Sequence, residues 1–213
     1  MSNVVVVDYG MGNIKSVQRG LERAHATVTL SSIPEEIAKA ERLVLPGVGA
    51  FKDGMKGLSE AGVIPAIDEF VKKGNPLMGI CLGMQMLLER SEEHGSHSGL
   101  GFIPGIVSAV PEKEDGKHVR KIPHIGWNTL HCPTSKSDWH GSILSDIAED
   151  DYFYFVHSFM AVPENSENLL AYAEYENLRV TAAVRKENVM GFQFHPEKSG
   201  DSGLRILETF ISI

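Results

Sequence analysis

Apolar residues in the first half of the chain follow two textures. The stretches NVVVVDYG (residues 3–10), RLVLPG (42–47) and PLMGIC (76–81) are short, continuous β-branched or aliphatic runs closed by turn-forming residues. Such runs suit strands buried on both faces of a parallel sheet. Between them, residues 13–26 place Ile14, Val17 and Leu21 on one helical face, and residues 63–73 do the same with Ile64, Ile67, Phe70 and Val71. Leu82 to Arg90 is expected as a further helix directly after the third strand. Strand and helix therefore alternate, which predicts an α/β fold. Beyond Gly99 the texture changes to closely spaced strand-like runs: 101–110, 118–130, 151–162, 169–175, 178–186 and 189–194. These are expected to join the same sheet, and a last helix over 203–210 closes the chain. Residues 91–101 and 111–118 read as solvated loops.

Composition narrows the function classes. With 213 residues, 42% of them hydrophobic and 23% charged, the chain can bury a full core as one domain over 1–213 without covalent staples. Two cysteines, Cys81 and Cys132, make no disulfide framework. The start, MSNVVVVDYG, lacks the basic flank and apolar length of a signal peptide, so a reducing cytoplasm is expected. No apolar stretch approaches the roughly 20 residues that span a bilayer. A net charge of -8 disfavours binding to a phosphate backbone, so neither a membrane nor a nucleic acid is expected as partner.

The chemistry-bearing pattern centres on Gly79-Ile80-Cys81-Leu82-Gly83. Paired glycines around a cysteine at a strand-to-helix turn permit a sharp elbow that presents a nucleophile to a cleft, and a helix N-terminus behind the sulfur favours its thiolate. A buried cysteine acting as a small hydrophobe is the plainer alternative. A thiolate nucleophile needs a base, and the base needs an orienting acceptor. In VMGFQFHPEKSG, His195 ends a strand-like run and Glu197 stands two residues on, the same side of an extended backbone. A surface turn is the competing reading there. Pro46-Gly47-Val48-Gly49 can turn backbone N–H groups toward an oxyanion, or serve as a plain strand-to-helix connection. Gly10-Met11-Gly12 lacks the third glycine of a dinucleotide fingerprint, and Asn13 is read as a helix cap. Cys132 has neither glycines nor an elbow around it, and the scattered histidines suggest no metal site.

Taken together, GICLGMQ, FHPEKS and PGVGAF resemble the class I (triad) glutamine amidotransferases. Further agreement through DYGMGNIKSV, GLGFIPGIV, IPHIGWN and FYFVHSF covers nearly the whole chain and is similar to the branch that serves imidazole glycerol phosphate synthase in histidine biosynthesis. The resemblance implies a flavodoxin-like α/β fold, a central mostly parallel sheet with helices on both faces plus added antiparallel strands. It implies a Cys81, His195 and Glu197 triad and an oxyanion hole at Val48, Gly49 and Leu82. L-glutamine would be bound by Gly47, Gly49, Gln85, Ser158 and Phe159, with no cofactor. Ammonia would pass to a (β/α)8-barrel cyclase subunit in a heterodimer, with Asn13, Trp127 and Lys198 at the junction. A paralogue feeding another synthase, such as one aminating a surface-polysaccharide sugar, is the alternative, because the acceptor lies on the other chain.

Overall fold

Side chains leave a strand alternately to its two faces, so a run of four valines needs an apolar layer on each side. A computed structural model, which describes residues 2–114, 116–136 and 138–213, supplies both layers. β1 (Asn3–Val7) sends Val4 and Val6 into one apolar cluster and Val5 and Val7 into another. The split recurs in β3 (Arg42–Gly47), where Val44 opposes Leu43 and Leu45, and in β4 (Leu77–Cys81), where Met78 and Ile80 oppose Leu77. Each aliphatic side chain buried this way stabilises the fold by about 1.5–3 kcal/mol before entropy is counted.

These strands form the middle of a seven-stranded sheet. Its spatial order is β13 (Leu169–Tyr175), β14 (Leu178–Lys186), β15 (Val189–Phe192), β4, β3, β1 and β2 (Thr27–Ser31). The five strands from β15 to β2 are parallel, and β13 and β14 add antiparallel pairs at one edge. Helices α1 (Ile14–Arg23) and α6 (Gly200–Ser212) cover one face through Val17, Leu21, Ile206, Leu207 and Phe210. The other face is covered by α2 (Pro34–Ala38), α3 (Phe51–Glu60), α4 (Ile64–Lys72) and α5 (Leu82–Met86). The α/β architecture with added antiparallel strands is as expected, and the helices at 13–26 and 63–73 shorten only at their ends. None of the helices among the described residues is long and apolar enough to cross a membrane.

Several expectations are corrected. The helix after Cys81 ends at Met86 instead of Arg90, because Leu88–Ser91 becomes β5, pairing in parallel with β7 (Ile103–Ala109) and burying Leu87 and Leu88. Only three of the later runs join the central sheet. β5, β6 (His97–Ser98), β7 and β12 (Phe159–Pro163) make a second sheet, while β10 (His124–Thr129) and β11 (Tyr152–His157) make a two-stranded ribbon. The run 151–162 is thus cut at Ser158, since its halves pair with different partners, β11 with β10 and β12 with β7. The supposed loops hold short ladders: β6 in the first, and β8 (Lys113–Glu114) with β9 (Lys117–His118) in the second. Asp115, in that second loop, lies outside the described residues. Asn13 precedes α1 and its carbonyl accepts from Ser16 and Val17 N–H, but its side chain makes no capping bond.

The elbow glycines owe their identity to close approach. A Cβ on Gly83 would stand 1.8 Å from the Leu45 carbonyl oxygen, and one on Gly79 would stand 2.7 Å from the Met84 nitrogen. Both obstacles are backbone and cannot swing away. Gly83→Ala is therefore expected to destabilise the chain by about 3 kcal/mol or more, read as a lowered urea midpoint; a midpoint equal to that of the unmodified chain would refute the packing argument.

Candidate active site

Parallel α/β sheets offer their ligand crevice at the carboxyl ends of the strands. Here β3 runs out into Gly47-Val48-Gly49, β4 into Cys81, and β15 into Gln193-Phe194-His195. The register pairs Gly47 with Cys81 and Phe192 with Ile80, so all three exits meet at one edge. A cavity of about 570 Å³ opens there, lined among others by Val48, Gly49, Cys81, Leu82, Gln85 and His195. A larger open groove, about 830 Å³ near Trp139, has no cysteine among its lining residues.

Cys81 sits at φ 56° and ψ -111°, a conformation that L-residues rarely adopt, immediately before α5. The strain falls on the cysteine itself, while Gly83 lets the backbone approach β3 and Gly79 lets α5 fold back over β4. Its sulfur lies 3.8 Å from the donating Nε2 of Gln193 and 4.0 Å from the Val156 carbonyl. The short α5, five residues, makes the helix-dipole contribution smaller than a long helix would.

His195 and Glu197 are almost wholly enclosed, with side chains 2% and 0% exposed. His195 Nδ1 donates to Glu197 Oε1 at 2.8 Å, a carboxylate oxygen being able only to accept. The pair is made across a turn of 3-10 helix at Pro196–Lys198, instead of along an extended strand. The remaining ring nitrogen, Nε2, is buried and makes no hydrogen bond, leaving it free for chemistry at the cavity. Burial disfavours the imidazolium, yet the adjacent Cys81 thiol and the Glu197 carboxylate outweigh it and raise His195 to about 9. Burial and the charge of Cys81 push the nearby Tyr9 hydroxyl upward, and that hydroxyl donates to the Pro46 carbonyl at 2.7 Å.

Other expected residues separate. Val48, Gly49, Leu82, Gln85, Ser158 and Phe159 all line the cavity. Gly47 is buried behind it, where a Cβ would meet the Tyr9 hydroxyl at 2.7 Å and Leu82 at 2.9 Å. Gln85 is not free as a donor: both its Nε2 hydrogens are spent, on the Phe159 carbonyl and on Gln193 Oε1, each at 3.0 Å. Its Oε1 is what remains for a ligand. Trp127 and Lys198 flank the Tyr154 ring, at 5.8 Å between ring centroids and 5.9 Å from Nζ, on the outer face of the β10–β11 ribbon. Asn13 starts α1, which packs on the turn carrying Glu197 and Lys198 through Gly20, where a Cβ would stand 3.0 Å from Glu197 Cβ.

Three contributors escaped the sequence reading. Gln193 lies two residues before His195, and the alternation argument applied once more would have found it. His157 and Glu93 come from β11 and from the segment after β5, and only the tertiary fold brings them to the cavity. Glu93, the only acidic residue among the described ones lining the cavity, accepts the Phe51 N–H at 2.6 Å and so ties that wall to the start of α3.

The sequence pattern described as "Glutamine amidotransferase class-I" matches residues 5–213. The chain belongs to the class I glutamine amidotransferases. Within this family it is 50% identical over its full length to "Imidazole glycerol phosphate synthase subunit HisH 1" of Legionella pneumophila (strain Lens), covering 100% of each. It is 44% identical to the HisH subunit of Geobacillus thermodenitrificans (strain NG80-2), over 100% of this chain and 97% of that one. Among solved structures, PurLQS from Thermotoga maritima shares the fold with a TM-score of 0.72 at 18% identity, covering 99% of this chain and 98% of that chain.

The raised imidazole carries a stability signature. Its value is about 9 in the folded chain against 6.5 for a free histidine, so its contribution is complete below 6.5 and is lost as pH rises through about 9. The urea midpoint of the unmodified chain is expected to fall over that window, and to fall less in Glu197→Gln, which removes one of the charges responsible. Equal declines in both proteins would contradict the assignment.

Proposed function

We propose that this chain is the glutaminase subunit of imidazole glycerol phosphate synthase, a single domain over 1–213 that hydrolyses L-glutamine and passes ammonia to a cyclase subunit. The observation that carries the reading is the meeting of a strained, cavity-facing Cys81 with a buried His195–Glu197 pair. The full-length identity to HisH subunits supports the choice of synthase.

The chemistry follows from that arrangement. The proton shared by Cys81 and His195 rests on the imidazole, and the sulfur adds to the side-chain carbonyl carbon of glutamine. The charge developing on oxygen is met by backbone N–H groups of Leu82 and of the Val48-Gly49 segment, where Gly49 holds φ +103°. His195 returns the proton to nitrogen, the C–N bond breaks, and ammonia leaves a glutamyl thioester on Cys81. Water then loses a proton to His195 and adds to the thioester; collapse releases glutamate and restores the thiolate–imidazolium pair. Gln193, donating to the sulfur, stabilises its anionic form. The α-ammonium of glutamine is held by Glu93 and Gln85 Oε1, and the α-carboxylate by the Ser158-Phe159 segment.

The partner is a (β/α)8-barrel cyclase docking on the face that carries Asn13, Trp127 and Lys198. Ile125, Trp127 and Tyr152 are each more than half exposed, at 57%, 53% and 55%, and lie on one face of the ribbon, Trp127 between the other two. An apolar patch of that kind fits a protein interface. A free catalytic thiol fits the cytoplasm.

Two outcomes test the proposal. In the complex, Cys81→Ala abolishes glutamine-dependent formation of imidazole glycerol phosphate but leaves synthesis from ammonium salts intact, because added ammonia bypasses the thiol; persisting glutaminase activity would remove the nucleophile. Glutamate release is expected to be slow for the chain alone, faster with the cyclase, and faster again with the cyclase's acceptor substrate bound. A hundredfold stimulation requires only about 3 kcal/mol of bias toward an active Val48-Gly49 conformer. Equal rates in all three mixtures would exclude gating.

A further inference from the structure

Two buried histidines outside the triad face each other across the β10–β11 ribbon. His124 and His157 form a direct cross-strand pair, 1% and 6% exposed, with His124 Nδ1 at 2.8 Å from His157 Nε2. Their hydrogen-bond polarity follows from one fixed end. The Phe159 carbonyl can only accept, so His157 Nδ1, 2.9 Å away, carries the proton. Burial, assisted by His124, lowers His157 to about 3, and burial lowers His124 to about 4, so each ring holds a single proton. His157 Nε2 is then an acceptor, His124 Nδ1 is the donor facing it, and His124 Nε2 accepts from the Asn128 amide at 2.8 Å. The Phe159 carbonyl also receives Gln85 Nε2, whose other hydrogen goes to Gln193 Oε1, and Gln193 Nε2 points at the Cys81 sulfur. A continuous hydrogen-bonded network therefore links Asn128, beside the exposed Trp127, to the nucleophile, its donors converging from both sides on the Phe159 carbonyl.

We propose that His124 is a positioning residue for glutamine: by donating to His157 it fixes that ring as the Nδ1–H tautomer, which in turn fixes the Phe159 carbonyl and the Gln85 amide around the substrate. Without this donor, His157 Nε2 is a buried acceptor with no partner, and the ring gains a reason to move its proton there. Its Nδ1 lone pair would then face the Phe159 oxygen at 2.9 Å, which is repulsive, and the Ser158-Phe159 wall would shift. The donor also blocks a second proton on His157, whose charge would repel the substrate ammonium and the His195 imidazolium. His124 is itself held flat between Phe155, at 5.0 Å, and Tyr175, at 4.0 Å, so it cannot swing to another partner.

The inference rests on the glutaminase reading of the same cavity, and its test separates the two. Nitrogen-15 spectra of histidine-labelled chain at neutral pH are expected to show both rings as neutral Nδ1–H tautomers, a readout that needs no turnover. In the complex with the cyclase, His124→Phe keeps the stacking and removes the donor; the KM for L-glutamine is expected to rise about tenfold or more with kcat within about threefold. His124→Asn, which offers an amide N–H where Nδ1 stood, is expected to recover most of that loss. An Nε2–H or doubly protonated His157 in the unmodified chain overturns the proposal even if His124→Phe does not fold. So does an unchanged KM in His124→Phe, or a His124→Asn variant as impaired as His124→Phe. Absence of glutamate release by the unmodified complex would instead overturn the glutaminase reading and leave the tautomer result standing.

Discussion

The contact between Gly83 and the Leu45 carbonyl is the constraint on which the site depends. It lets α5 begin directly at the end of β4, and that abrupt start forces Cys81 into a positive-φ conformation, with a strain of roughly 1–3 kcal/mol. Packing of Leu82, Met84 and Met86 into the apolar layer behind the sheet holds the elbow against that strain. The sulfur is thereby presented at the carboxyl edge of the sheet, where β3 and β15 deliver Val48-Gly49 and His195. Rigid backbone, and not side-chain rotamers, sets the distances among these groups.

Imidazoles in one small volume are driven to opposite states by their neighbours. His195 is buried but stands between a thiol and a carboxylate, so the charged form prevails. His157 is buried next to another histidine, and together these outweigh the Phe159 carbonyl, whose hydrogen bond favours the charged ring, so the neutral form prevails. The same loss of hydration acts on both rings; the sign of the outcome is decided by what each nitrogen faces.

The ribbon that carries His124 inward carries Trp127 outward, because alternate residues on a strand take opposite faces. An exposed apolar face and a hydrogen-bonded network to the Cys81 cavity are thus two sides of one strand. Tyr154 adds a second link, its ring lying between Trp127 and Lys198 while its carbonyl accepts the His195 N–H at 3.0 Å.

The sequence by itself determined the parallel half of the sheet, the elbow and the His195–Glu197 pairing. Val4 to Val7, the glycines around Cys81 and the His195-Pro196-Glu197 step carry their meaning in local spacing, because burial on two faces and a tight turn are properties of a few adjacent residues. Local spacing could not decide where the later strands pair. The run 151–162 is one apolar stretch in the chain and two strands in two sheets, since the competition among β7, β10 and their rivals is settled by long-range contacts. For the same reason Leu87 to Arg90 left the helix that their pattern suggested. His124, His157 and Glu93 were silent in the sequence, and so was the spending of both Gln85 amide hydrogens inside the protein, because hydrogen-bond partnership belongs to groups far apart in the chain. What each polar atom faces, and so which proton it holds, only the tertiary structure decided.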